Sequence, residues 1–174
     1  SHDGLKAIDF NLRSVCIDNN NRIWWGTGKG VPTLDLNNKF NGYVPSSLSM
    51  SFIEINDSYY DFRNLPDSAK NKIAFSKVAP FYNYPDNLSL SYDLNHLTFH
   101  FSAIDWSAPD KIQYSYRLLG LEATWSSPSQ EAFAEYRRLP HGKYELQVKV
   151  IGQSQVWSEP LVYSFVILPP WWLT

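Results

Sequence analysis

Along residues 143–150 apolar and polar side chains alternate one by one. Tyr144, Leu146, Val148 and Val150 take one parity, and Lys143, Glu145, Gln147 and Lys149 the other. A period of two predicts a strand with one buried and one wet face. The same period recurs in Leu88, Leu90 and Tyr92; in Leu97, Phe99, Phe101 and Ala103; in Ile112, Tyr114, Tyr116 and Leu118; and in Leu161, Tyr163, Phe165 and Ile167. With short strands around Trp125 and over 132–138, this predicts seven strands between 88 and 167, separated by tight turns. Upstream, Leu48, Met50 and Phe52 alternate with serines, and the apolar parity then flips at 52–53, which predicts a bulge or a strand that switches sheets. Asn56-Asp57 reads as a hairpin turn. Residues 66–75 allow one short helical turn. Residues 76–87 read as a loop with Pro80 and Pro85, anchored by Val78, Phe81, Tyr82 and Tyr84. Residues 13–36 form a separate group of three short strands, 13–17, 22–27 and 31–36, broken by Asp18-Asn-Asn-Asn21 and Gly28-Lys-Gly30. Pro32 removes a ladder donor, so the third strand is expected to be irregular.

The Leu139-Pro-x-Gly142-x-Tyr144 step into strand 143–151 places a tyrosine where immunoglobulin-like sandwiches pin a corner with its hydroxyl. The expected fold is all-β: an immunoglobulin/fibronectin-III-like β-sandwich preceded by a partial β-propeller blade. Its divisions fall at 1–43 (blade remnant and linker), 44–168 (sandwich) and 169–174 (tail).

Composition narrows the function. The chain of 174 residues is 44% hydrophobic, 16% aromatic and only 18% charged, which marks a globular, sheet-rich protein. A net charge of -2 without a basic run argues against nucleic-acid binding. Cys16 is the single cysteine, so neither a disulfide framework nor a thiolate metal site is expected. Gly26-Thr-Gly-Lys-Gly30 lacks phosphate-loop spacing and precedes a proline, so it reads as a turn. His2, His96, His100 and His141 show no metal-ligand spacing and read as surface residues. Asp105 and Asp110 flank Trp106, and Glu131 and Glu135 lie near a strand. Turns and solvated faces account for these carboxylates, and nothing sets a pair across a cleft as glycoside hydrolysis requires. No catalysis, cofactor or metal is expected. Among seven tryptophans, Trp125 reads as sandwich core and Trp24 and Trp25 as blade packing; Trp106 and Trp157 are the plausible sugar platforms. The chain shows no apolar run long enough to cross a bilayer and no signal peptide. Ser1-His2 reads as a vector scar. The ending Pro169-Pro170-Trp171-Trp172-Leu-Thr174 reads as an approach to a membrane, because tandem tryptophans favour its interface.

Leu88–Ile167 resembles the Y_Y_Y (three-tyrosine) domain of Bacteroides-type hybrid two-component sensors. The matching pieces are Asn95-x-Leu97-x-Phe99-x-Phe101-Ser102-Ala103, Tyr114-x-Tyr116-x-Leu118-x-Gly120, Trp125, Tyr136 and the Leu139–Tyr144 step. Residues 13–36, with Asp18-x4-Ile23-Trp24-Trp25-Gly26-Thr27, resemble the two-component propeller repeat. Asn20-Asn21 stands where that repeat commonly has Gly, and Val31-Pro32 where it has Gly-Leu. The resemblance implies a non-catalytic periplasmic module of an inner-membrane sensor histidine kinase. Tyr114, Tyr116, Trp125, Tyr136 and Tyr144 would be structural, and Pro169, Pro170, Trp171 and Trp172 would couple the sandwich to the membrane. It further implies an oligosaccharide ligand bound mainly by propellers outside this chain, and a homodimer formed through the sandwich. The rivals are a carbohydrate-binding module, which would set exposed aromatics in a row on one sheet face, and an accessory domain of a glycan-degrading enzyme.

Overall fold

The computed structural model describes residues 10–28, 30–37, 48–105, 108–170 and 172, with side chains from residue 14 onward. His2, Trp106, Trp171 and the linker beyond Asn37 lie outside the described residues. The chain divides into two compact units, Ser1–Asn41 and Gly42–Thr174.

The first unit is an antiparallel meander of β1 (Phe10–Ile17), β2 (Arg22–Thr27) and β3 (Thr33–Asp35), in that order. The Asp18 carboxylate organises the first turn. It accepts the Trp24 indole N–H at 3.0 Å and the backbone N–H groups of Asn20 and Arg22 at 2.9 and 3.0 Å. The indole bond, then the Arg22 backbone bond, holds its carboxyl below the usual carboxylate range. Asn21 takes the left-handed backbone at φ 62, which an amide side chain tolerates. Thr27 and Gly30 exchange backbone hydrogen bonds, which closes a turn after β2. β3 starts only after Pro32 and is shorter than the sequence predicts.

The second unit is a sandwich of two main sheets. Its elements are β4 (Ser49–Ile55), β5 (Ser58–Tyr59), α1 (Asp67–Lys70), β6 (Ile73–Ala74), β7 (Lys77–Val78), β8 (Pro85–Asp86), β9 (Leu88–Leu90), β10 (Leu97–Ser102), β11 (Gln113–Leu119), β12 (Phe133–Tyr136), β13 (Gly142–Ile151) and β14 (Leu161–Ile167). One sheet runs β12-β10-β4-β5 and the other β11-β13-β14-β9-β6, while β7 and β8 form a separate ribbon. All pairings are antiparallel except β14 with β9. The bulge expected at 52–53 is present: His100 opposes Phe52 and Phe101 opposes Met50, leaving Ser51 as the extra residue. Met50, Ile53 and Ile55 therefore all face the core, although an unbroken strand would turn Met50 away. Asn56 and Asp57, at φ 49 and 58, make the hairpin turn.

Four expectations fail here. No strand forms around Trp125; residues 122–129 run as a loop bonded along the free edge of β11 through Ser126 and Ser129. Tyr92 leaves the β9 alternation because the strand ends at Leu90, and its ring lies exposed on the next turn. Phe81 anchors nothing: at φ 66 its side chain points outward, 100% exposed. Asp105 is buried, where a solvated carboxylate was expected.

Register also fixes the two ends of the sandwich. Ser49 opposes Ser102, Gln113 opposes Ile151, and the Ala103 N–H donates to the Tyr114 hydroxyl at 3.1 Å, so these residues share the end where the chain enters. Ile55 opposes Leu97, Gly142 opposes Ile167, and the Leu139 N–H donates to Asn95 O at 2.9 Å, which gathers the opposite end. The chain comes in at one end and leaves at the other. β13, of ten residues, spans the distance, about 30 Å at the rise of an antiparallel strand.

Candidate functional site

The tyrosines singled out in the sequence belong to one continuous set of core rings. Phe101 touches Tyr114 and Tyr116, Tyr116 meets Tyr136, and Tyr136 meets Phe99, with centroids 5.1 to 6.3 Å apart. Phe99 continues to Phe165 and Tyr163, and Tyr144 stacks on Phe165 at 5.3 Å. Both sheets contribute rings to this path. Burial raises the phenol pKa of Tyr114, Tyr116, Tyr136, Tyr144 and Tyr163, most of all in Tyr136 and Tyr163. Tyr144, 5% exposed, donates its hydroxyl to Pro140 O at 2.7 Å, the corner bond that the Leu-Pro-x-Gly-x-Tyr step predicts. Sequence reasoning missed Tyr163, whose buried hydroxyl reaches Pro85 O at 2.7 Å and ties β14 to the start of β8.

Trp125 is not core. It is half-buried outside the five-stranded sheet, with the Arg117 guanidinium 4.6 Å and the Lys149 ammonium 4.2 Å from its ring centroid. Lys149 also lies 4.5 Å from the Trp157 ring. The indoles thus already hold cations, joining the 122–129 loop to the 152–160 loop across β13.

The outer face of the four-stranded sheet carries a row of rings that the sequence did not show. Phe52 stacks on His100 at 4.2 Å and 14°, Phe133 follows at 6.0 Å from His100, and Tyr59 meets Phe52 at 5.7 Å. Phe52 faces outward by alternation with the buried Ile53 and Ile55. Tyr59 is 59% and Phe133 37% exposed. Phe52 and His100 use their flat faces on each other, so the middle of the row presents ring edges to solvent and no platform for a sugar. Around it lie a His100–Glu54 pair at 3.2 Å and His96, which sits between Asp57 at 3.4 Å and Glu135 at 2.8 Å. His96 is more enclosed than a surface histidine, with its side chain 15% exposed. Asp57, His96 and Glu135 bring metal-ligating atoms together. However, the two carboxylates approach opposite nitrogens of one imidazole, and the Arg137 guanidinium holds the same Glu135 oxygen at 2.8 Å. That geometry suits an ion-pair clamp and does not suit chelation.

A groove of about 450 Å³ lies on the five-stranded sheet, lined by Leu119, Gly120, Lys143, Glu145, Ser164 and Val166 among others. It offers no histidine or cysteine to activate a nucleophile. Asp110, Glu131 and His141 are exposed, in separate segments.

At the exit, Leu168 N–H donates to Leu90 O at 2.8 Å, Pro169 is exposed and Pro170 is buried. The Trp172 ring meets Tyr92 edge to face at 5.0 Å and 74°.

Comparison with known proteins assigns this architecture. Residues 105–168 match the family described as the Y_Y_Y domain. This segment is similar to the Y_Y_Y domain. The Y_Y_Y match takes in β11 to β14, with Tyr114, Tyr116, Trp125, Tyr136 and Tyr144, and starts later than the resemblance read from Leu88. The whole chain is 26% identical over 172 residues to histidine kinase P4 of Formosa agariphila, covering 97% of this chain and 12% of that protein. Among solved structures, it resembles the extracellular domain assigned to a hybrid two component system of B. thetaiotaomicron, with a TM-score of 0.56 and 22% identity over 89% of this chain and 20% of the other. A second such extracellular domain from B. thetaiotaomicron gives 0.56 and 23% over 90% and 20%. At these identities the structural likeness shows the fold. The chain spans about an eighth of the kinase and a fifth of each extracellular domain.

Proposed function

We propose that the chain is the extracytoplasmic coupling part of a larger, inner-membrane two-component sensor histidine kinase, and that it performs no catalysis itself. In this reading the sandwich relays ligand binding from upstream propellers to a membrane helix beyond residue 174. The kinase and extracellular-domain relatives support it, and one structural observation carries it: the chain enters and leaves the Y_Y_Y sandwich at opposite ends, with a continuous ring path between them. Displacement imposed at residue 48 must pass through a close-packed core before it reaches residue 168. The first unit is then the remnant of a last propeller blade. Its outward Val15 and Ile17 are apolar residues that a neighbouring blade would cover.

The ligand, an oligosaccharide, is bound mainly outside this chain. Calorimetry of the isolated chain with oligosaccharides is expected to detect no binding, while the longer extracytoplasmic region binds. Micromolar binding by the isolated chain would move the site into it and overturn this reading. We assign homodimer contact to the outer face of the four-stranded sheet. Its exposed rings are flanked by Glu54, Asp57 and Glu135 interleaved with His96, His100 and Arg137, a mosaic that suits a second copy of itself. Sedimentation at high concentration should show weak association that a Tyr59→Lys, Phe133→Glu variant loses; a strictly monomeric wild type would refute it.

A further inference from the structure

We infer that Tyr92 is a positioning residue for the exit segment, the dock that makes residues 168–170 and Trp172 move with the sandwich. The inference rests on the coupling reading above and names where that coupling is held. Pairing does not stop with β14: the Leu168 N–H continues it onto Leu90 O, and Pro170 is buried. Trp172 then closes edge to face on Tyr92. Pro169 and Pro170, whose rings fix φ, lie between these contacts.

The dock itself is held by both sheets. Tyr92 lies on the turn that follows β9 of the five-stranded sheet. Its neighbour Asp93 binds the Lys72 ammonium at 2.5 Å, and the Ser91 N–H reaches Lys72 O at 2.9 Å. From the four-stranded sheet, Asn56 on the β4–β5 turn donates its side-chain N–H to Asp93 O at 3.0 Å and accepts the His96 N–H at 3.2 Å. Leu94 anchors the turn in the core. A change in the angle between the sheets therefore acts on the turn that carries Tyr92, and through the ring contact on Trp172. A tail tied only through Ile167 would follow one sheet.

The test compares Tyr92→Ala with Tyr92→Phe, which keeps the ring. In the chain carrying 5-fluorotryptophan, with the Trp172 resonance assigned by Trp172→Phe, Tyr92→Ala should move that resonance to the position of a solvated indole. Amide exchange at Leu168 should quicken about tenfold, with β13 unchanged. Tyr92→Phe should leave both readings as in the wild type. In the full-length protein, Tyr92→Ala should abolish ligand-dependent output at unchanged ligand affinity. An unmoved Trp172 resonance, or normal switching by Tyr92→Ala beside a Pro169-Pro170→Gly-Gly variant that is uncoupled, overturns the dock alone. If neither variant alters switching although the resonance moves, the coupling reading falls with it.

Discussion

Tyr144 closes the corner into β13 with one hydroxyl bond while its ring stacks on Phe165. Tyr144→Phe keeps the stack and loses the bond, so urea denaturation should show a loss of about 1 kcal/mol. Gly120 sits at φ 100, and an added Cβ would stand 2.6 Å from the backbone oxygen of Lys143. Neither side can yield cheaply, so Gly120→Ala should cost more than Tyr144→Phe in the same assay. Trp125→Ala should cost about 1 kcal/mol, the scale of an exposed cation–π contact, and not the roughly 3–5 kcal/mol of a core tryptophan. Tyr144 was legible because its turn and strand are local in sequence. Trp125 was not: a two-residue period assigns burial only inside a strand, and a loop ring takes its surroundings from Arg117 and Lys149 on strands it does not belong to. Asp105 and Phe81 escaped for the same reason.

At the scale of elements, the bulge in β4 brings Met50 to the same core face as Ile53 and Ile55. Removing Ser51 would restore strict alternation, with Met50, Ile53 and Ile55 inward and Phe52 and Glu54 outward. The deletion should leave a folded sandwich, losing the Asn83 N–H bond to Ser51 O and drawing the incoming chain one residue inward. Near-ultraviolet circular dichroism and thermal denaturation would check it; an unfolded product would mean that the bulge holds more than a change of parity. The parity flip made this bulge readable, and long strands such as β13 and β14 were equally plain. Strand order was not readable, because parallel pairing of β14 with β9 joins residues distant in sequence and leaves no periodic trace. The outer ring row was hidden likewise, since Tyr59, Phe52, His100 and Phe133 come from four separate strands.

For the whole molecule, burial of so many phenols sets an upper pH limit. Their folded pKa values lie above the unfolded value of about 10, so the unfolded chain releases protons first as pH rises. The stability they contribute is fully present below about pH 10 and is lost as pH climbs from there through the folded values. Denaturation midpoints should be insensitive to these groups near neutrality and fall in alkali, with part of the tyrosinate absorbance appearing only on unfolding. In the full-length protein, Pro169-Pro170→Gly-Gly should uncouple ligand from output at nearly unchanged affinity; normal switching would rule out a stiff connector. The position of β14 has a further consequence, for biosynthesis. The last described strand, β14, is the middle strand of its sheet, between β13 and β9. Until residue 167 has left the ribosome, those two strands have no partner between them, and Leu88, Leu90, Leu146 and Val148 lack the flanking side chains of β14. A chain released near residue 160 would be a client for chaperones and proteases, and one released just past 168 could close by itself.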